Sequence, residues 1–530
     1  MDVIQTLPAG WAQDAAVLLG GLSLSYYLRR QATSKKGNSG FPLPPSLKGL
    51  PILGNALDIP LENPGQGYER WGKELNSKII SARALGKSIV VVNSISIAVD
   101  LLDKRSAKYS SRPQSVMAKE LMGWDYLFAM LPYDEKWKER RRMFVQHFRP
   151  ADTSIIRPQE EEFAGRFLVE LNRTPNQLHQ VTRGTFGGFI ISLAYGIPIK
   201  PRGDPHLAFS EKVMHTLAEI STPGSNFVDV IPPLKHFPSW FPGGGFKRKA
   251  ASLWYMHEQF RSSPFNEAVS HFGTEKARPS FVSVALEAID ETSGDSEYQK
   301  QVIKDAAAMF YGARTDTIVA SILVWIWVLL KNPDIQARVH EELDRVLNGR
   351  MPDFEDQEQL PYLTASLMES TRWGPVTPIG VPHSSTEDDV YDGYFIPKDS
   401  IVIPNLWAML RNEDDYEDPT TYNPDRFLKD GQINPDIRDP YTVAFGFGRR
   451  ACPGAHIGRS MVWLAAASLA SVFQWSEPLG EDGKPIDQPM DFEKGLLYQP
   501  NPFKCDFKVR SAEAQAHLAN LEAQHTTAEA

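Results

Sequence analysis

Through most of residues 119–347, apolar side chains return every three to four positions, the period of helices that bury one face. A stretch rich in Pro, Gly and aromatics at 231–245 interrupts that pattern. Its longest unbroken run, 301–330, is closed by Asn332-Pro333. Further helices are predicted at 361–373, opened by Pro361, and at 455–473, which is largely apolar. Residues 78–97 alternate as short strands do, with an Ile/Val-rich run at 88–92, and 375–426 read as short strands and proline-rich turns. The pattern therefore predicts a mainly α chain with a smaller β region. The Ala-, Glu- and His-rich residues 511–530 are expected to be a disordered tail or a frayed helix.

The N-terminus follows another rule. Residues 15–28 (AAVLLGGLSLSYYL) are almost uncharged and are closely followed by Arg29, Arg30, Lys35 and Lys36. The run is short of the ~20 residues of a full span, although Trp11 and Ala12 extend it past Asp14. No cation precedes it, so it lacks the leading charge of a cleaved signal peptide, which is the competing reading. The cations that follow hold the rest of the chain on the cytosolic side. Residues 1–30 are thus predicted to be a membrane anchor. Residues 31–55, polar and carrying Pro42, Pro44, Pro45 and Pro51, are a stiff linker.

Composition narrows the function. Among 530 residues, 42% are hydrophobic and 23% charged, enough for a large core. The formal net charge of -9 argues against a nucleic-acid partner. Cys452 and Cys505 are the two cysteines, too few for a disulfide framework or a Cys-rich zinc site, which fits a reducing compartment.

Cys452 lies in Phe445-Gly446-Phe447-Gly448-Arg449-Arg450-Ala451-Cys452-Pro453-Gly454, directly before the predicted helix 455–473. Three glycines around one cysteine describe a tight loop that presents the sulfur. A sulfur at a helix N-terminus is favoured as thiolate, and Arg450 offers a cation for an anionic carboxylate. A buried structural cysteine in a Gly-rich turn is the alternative, and Cys505, without such neighbours, is read as core.

This loop, F-x-x-G-x-R-x-C-x-G, resembles the heme-binding loop of the cytochrome P-450 superfamily, and the resemblance extends from the anchor to about Val509. It implies a single large cytochrome P-450 fold after the anchor, with residues 56–510 as the heme-binding monooxygenase domain. The cofactor is then heme b (iron protoporphyrin IX), with Cys452 as its proximal iron ligand. Phe445 and Gly454 belong to the same loop, and Arg450 is implied to bind a propionate. Trp137 and Arg141, at i,i+4, match two further propionate contacts, and His383 a third. A solvated basic face is the alternative for 136–142, given Lys136, Lys138, Arg140 and Arg142. Glu369 and Arg372 (E-x-x-R) with Arg426 (in PDRF) resemble the structural lock of the family core.

Within 301–330, Ala313-Arg314-Thr315-Asp316-Thr317-Ile318 resembles the oxygen-activation motif. Ala313 and Thr317, at i,i+4, can face the heme together. Asp316 beside Thr317 makes an acid–alcohol pair suited to proton relay. Arg314 stands where glycine is usual and Ile318 where Thr or Ser is usual. Arg314 is expected either to point away from the heme or to form a nearby ion pair.

By family position, residues 123–130, Phe310, Ala313, 376–380, Leu497 and Tyr498 are implied to line an apolar pocket. Residues 227–246, followed by Lys247-Arg248-Lys249, could contact a bilayer surface. Residues 120–124 and 393–407 resemble fungal secondary-metabolism hydroxylases. The implied activity is insertion of one atom of O2 into a hydrophobic terpenoid, polyketide or indole compound. Electrons are expected from NADPH through NADPH–cytochrome P-450 reductase, with a cytochrome b-type protein as a second candidate donor. The expected location is the endoplasmic reticulum membrane, single-pass, with a cytosolic catalytic domain. Two alternatives stay open: an isomerase or dehydratase of the same fold, and a non-catalytic heme-binding module.

Overall fold

A computed structural model describes residues 40–529 except 52, 201–202, 222–225, 241–242, 291, 293 and 493–496; the side chains of 218, 221, 314, 315 and 525–529 are also outside the description. The expected membrane anchor and the charge partner expected of Arg314 therefore lie outside the described residues.

The principal helices are α1 (Pro64–Glu74), α2 (Glu135–His147), α3 (Arg157–Arg173), α4 (Leu178–Tyr195), α5 (Pro205–Ser221), α6 (Gly245–His271), α7 (Phe281–Glu287), α8 (Ser296–Lys331), α9 (Pro333–Leu347), α10 (Pro361–Trp373), α11 (Ala455–Val472) and α12 (Ala512–Glu529). The long periodic run becomes α8, which packs against α2, α4, α6, α7, α9, α10 and α11. It is long and apolar enough to cross a membrane, but 69% of its apolar window is buried inside the protein, so it is the central core helix. Its inward face carries Trp325, fully buried, whose indole N–H donates to Ser366 Oγ on α10 at 2.9 Å. Asn332 then leaves helical geometry and Pro333 starts α9.

The β region is one four-stranded sheet with small pairs around it. Strands β1 (Ile79–Ala84), β2 (Lys87–Val92), β3 (His383–Ser384) and β4 (Ile401–Pro404) are ordered β1-β2-β4-β3. Val90 pairs with Val402 in parallel, and His383 with Val402 antiparallel. Ser384 also bridges to Ser111, its N–H donating to Ser111 O at 2.9 Å. That bridge ties residues 110–112 to residues 381–384.

Of the two forms expected for the C-terminal residues, the structure shows the helix and not the disordered tail. They form α12, docked on α3 and α11. Ala514 and Leu518 are buried and Leu521 packs beside them, so one helical stripe has found a partner surface that the tail's own composition does not reveal. Arg173 holds Glu522 at 2.8 Å, and His517 Nε2 lies 2.7 Å from Gly349 O.

Acid sensitivity follows from this packing. His340 on α9 meets the Trp475 ring edge-on at 6.1 Å, and burial, reinforced by Arg510, pushes its pKa down from 6.5 to about 4. Below 6.5 the unfolded chain takes up a proton that the folded chain refuses, so this contribution to stability is present above 6.5 and is lost as pH falls towards 4. His340→Phe is expected to shift the acid-unfolding midpoint to lower pH. An unmoved circular-dichroism titration would contradict this.

Candidate active site

The cysteine loop is shaped by glycines that nothing else can replace. Gly446 and Gly448 adopt φ of 78° and 53°, and a Cβ on Gly448 would stand 2.2 Å from Leu102 O. The loop closes through the Cys452 N–H, which donates to Phe445 O at 2.8 Å. The Phe445 ring stacks on Tyr441 at 5.9 Å. Buried Gly454 is the N-cap of α11. Cys452 is exposed, although the helix that follows the loop is largely buried. Cys505 is buried and its thiol is pushed above its ordinary pKa by burial.

Around this loop gather three arginines. Arg450 donates to Ser110 O at 2.6 Å, Phe128 O at 3.2 Å and Leu131 O at 2.7 Å. Arg112 donates to Ala129 O at 3.2 Å, Val381 O at 2.6 Å and Pro382 O at 2.9 Å. Arg141 donates to Ala451 O at 2.8 Å, beside Cys452. The Trp137 ring carries Arg450 at 4.4 Å and Arg141 at 5.5 Å. Among the described residues none of the three arginines has a carboxylate within ion-pair distance. Burial and mutual repulsion push Arg112 well below its ordinary pKa, and Arg450 down to about 10.

His383 belongs to the same cluster. Its Nδ1 lies 2.7 Å from Tyr109 O, so Nδ1 bears the hydrogen. Burial, then the charges of Arg112 and Arg450, hold its pKa well below 6.5, leaving it neutral. Arg112 was not among the expected residues. Its only local signal is Ser111-Arg112-Pro113, and its partners come from the non-local Ser111–Ser384 bridge.

The expected oxygen-site residues lie midway along α8. Ala313 is exposed and follows buried Gly312, with Asp316 and Thr317 half-buried and Ile318 buried beyond it. Thr317 Oγ1 donates to Ala313 O at 3.4 Å. Asp316 Oδ1 lies 3.9 Å from Arg183 Nη2 on α4, and Arg183 Nη1 is 3.5 Å from Glu211 on α5. Burial raises the Asp316 pKa, and Arg183 opposes that rise. Arg183, like Arg112, was not anticipated. Phe310, expected in the pocket, packs against Phe144 at 5.4 Å and Phe148 at 4.9 Å.

Glu369, Arg372 and Arg426 come together as one buried lock. Arg372 donates to Glu369 through Nε at 2.7 Å and Nη2 at 2.8 Å, and Arg426 Nε reaches Glu369 Oε1 at 3.0 Å. The basic stretch of α2 is less basic than its sequence suggests. Arg140 is buried and paired with Asp305 at 2.7 Å, Lys136 pairs with Asp125 at 2.7 Å, and Lys138 with Glu135 at 2.5 Å. Only Arg142 of the four cations is left exposed without an ion pair among the described residues.

The family model for cytochrome P450 matches residues 44–507. The chain belongs to that family. Among its relatives, Cytochrome P450 monooxygenase ple1 of Rhodocybe pseudopiperita is 41% identical over 95% of each chain. Cytochrome P450 monooxygenase 98 of Postia placenta is 37% identical over 96% of this chain and 97% of its own. Tryptamine 4-monooxygenase of Psilocybe cyanescens is 38% identical over 89% of this chain and 94% of its own. This cytochrome P450 is therefore a monooxygenase, and its family carries heme. The residues present fit that group. Buried Arg112 and Arg450 and half-buried Arg141, without a counter-ion among the described residues, suit a dianionic ligand, and Cys452 and Ala313 are exposed.

Proposed function

We propose that this cytochrome P450 inserts oxygen into a hydrophobic small molecule, with Cys452 as thiolate ligand to the heme iron. Arg112, Arg141, Arg450, Trp137 and His383 would hold the propionates, with Phe445 and Gly454 shaping the loop. The cluster of buried, uncompensated arginines beside an exposed thiol carries this reading. Heme, when bound, supplies reductive activation of O2. The chain's own residues supply orientation and protons. Glu369, Arg372 and Arg426 fix the core under the cysteine loop. Asp316, which faces Arg183, takes protons from solvent and passes them by way of the Thr317 hydroxyl.

The substrate is read as a hydrophobic secondary metabolite: a terpenoid, a polyketide, or an indole compound such as the name tryptamine 4-monooxygenase indicates for that relative. Electrons come from NADPH through a reductase, with a cytochrome b-type donor as an auxiliary. Residues 1–30 anchor the chain in the endoplasmic reticulum membrane, residues 31–55 link the anchor to the catalytic domain, and that domain faces the cytosol. Exposed Phe227 (70%) and Trp240 (78%), followed in the sequence by Lys247, suit a bilayer surface. The whole chain should resist alkaline carbonate extraction; release to the supernatant would reject the anchor.

The purified holoenzyme should show the red-shifted ferrous–CO Soret band of a thiolate-ligated heme, and with NADPH and a reductase it should oxygenate indole or terpenoid probes. Absence of the band rejects the site assignment. A normal band without NADPH-dependent oxygenation of any probe rejects the electron source and substrate class. Asp316→Asn is expected to slow turnover by about 10²-fold, the low end for a positioned proton donor, with unchanged heme content. Turnover within about twofold of the parent would remove Asp316 from the relay.

A further inference from the structure

Arg112, Arg450 and His383 are all held by one short segment, 109–112. Tyr109 O accepts from His383 Nδ1 at 2.7 Å, Ser110 O accepts from Arg450 Nε at 2.6 Å, and Arg112 brings its own guanidinium, fixed on Val381 O at 2.6 Å. Main-chain bonds lace this segment to 384–386. Ser384 N donates to Ser111 O, and Thr386 N to Lys108 O, both at 2.9 Å.

One carboxylate grips the start of the segment. Asp389, in the strand Asp389–Tyr391, has a side chain only 8% exposed. Its Oδ2 accepts from Arg105 Nη1 at 2.9 Å and from Tyr109 OH at 3.0 Å, and its Oδ1 accepts from Lys108 Nζ at 3.0 Å. Burial works to raise the Asp389 pKa, but the hydrogen bonds from Arg105, Lys108 and Tyr109 prevail and hold it below its ordinary value. Of the three donors, Arg105 and Lys108 are 39% and 35% exposed, so solvent can serve them if the carboxylate is lost. Tyr109 is fully buried. Burial, then the charge of Asp389, pushes its phenol up, so it remains a donor that needs this acceptor. The same tyrosine therefore meets Asp389 through its hydroxyl and His383 through its carbonyl oxygen. A buried ring tied at its tip leaves the main chain at its other end little freedom.

We propose that Asp389 is a positioning residue for the bound heme: through Tyr109 and the segment 108–112 it sets where Arg112, Arg450 and His383 meet the propionates. It acts on the ligand only by way of these residues. The inference rests on the reading that this cluster holds the propionates.

Resonance Raman spectra of the ferric holoenzyme read the propionate bending bands, and transfer of heme to excess apomyoglobin reads its release rate. Asp389→Ala is expected to shift the bands and to speed release about tenfold or more, the scale of hydrogen bonds lost from a charged acceptor. Tyr109→Phe removes one hydroxyl, so it should shift the same bands and speed release about two- to fivefold. The double variant should release heme no faster than Asp389→Ala alone, because both changes act along one path. A lowered Tm with unmoved propionate bands in Asp389→Ala would mark the residue as structural only and overturn the proposal. Additive effects in the double variant would overturn the route through Tyr109. Should Asp389→Ala fail to retain heme, Tyr109→Phe decides alone, and parental bands with parental release then overturn the proposal. Arg112→Gln tests the underlying reading separately: parental bands and release there would reject the propionate assignment. If both change in Arg112→Gln while Asp389→Ala and Tyr109→Phe stay parental, the positioning role alone is rejected.

Discussion

Cys452→Ala is expected to give a folded chain that has lost the red-shifted ferrous–CO band and all NADPH-dependent oxygenation. The substitution removes only an exposed sulfur. The loop itself is held by main-chain contacts: Cys452 N to Phe445 O at 2.8 Å, Arg141 to Ala451 O at 2.8 Å, and the left-handed turns at Gly446 and Gly448. Alanine preserves each of these, so thermal stability measured without heme should stay within about 1 kcal/mol of the parent, as for other surface changes. Arg112, Arg141 and Arg450 also remain, so some heme should still bind through its carboxylates, with a ligand other than thiolate. Proximal thiolate donation, which favours O–O cleavage, is then gone. Retention of the red-shifted band in Cys452→Ala would exclude Cys452 as the iron ligand. Parental oxygenation by this variant would exclude thiolate chemistry from the reaction.

How legible each part was depends on how locally its cause is written. The cysteine loop was legible because its geometry is imposed by adjacent residues: positive φ at Gly446 and Gly448, and the close approach of Gly448 to Leu102 O. The central helix was legible because an apolar run on every side needs burial on every side, and α8 obtains it from seven other helices. Arg112 was not, because its meaning comes from a bridge between Ser111 and Ser384. The solvated basic face offered as the alternative for 136–142 fails at Arg140 for the same kind of reason: its partner Asp305 lies 165 positions away and turns the guanidinium inward. Phe310 and Ala313 show how finely helical phase matters. Three residues apart on one helix, the first is enclosed by phenylalanines while the second is left open. For the tail, a helix was one of two readings, and its docking was not legible because α3 and α11 supply the facing surface.

Glu369→Gln is expected to be among the most destabilising single substitutions in the fold, and its effect should reach the heme without touching it. The Glu369 carboxylate is fully buried and accepts four hydrogen bonds: two from Arg372, one from Arg426, and one from Asn423 N at 2.8 Å. A glutamine of the same shape removes the charge that balances two buried guanidinium groups, and turns an NH2 donor towards a donor. Breaking one partner out of a buried pair costs about 3–5 kcal/mol, against a total of roughly 5–15 kcal/mol for a native protein. Arg372 also donates to Leu410 O at 3.0 Å and Pro419 O at 2.8 Å, so displacing it loosens the segment that leads to Arg426. The same helix, α10, supports the turn Tyr441–Ala444, which runs directly into Phe445 and the cysteine loop. Loss of the lock therefore propagates to the thiolate as a misplaced loop. The expected results are a fall in Tm of roughly 3–5 °C, lowered heme occupancy, and a blue-shifted ferrous–CO band from loosened ligation. Adding Arg426→Gln should recover part of the lost stability, because it removes one of the two uncompensated cations. A single variant with parental Tm would show that the charge balance at Glu369 is not what holds this core, and a double variant worse than the sum of its parts would show the same for the cation argument.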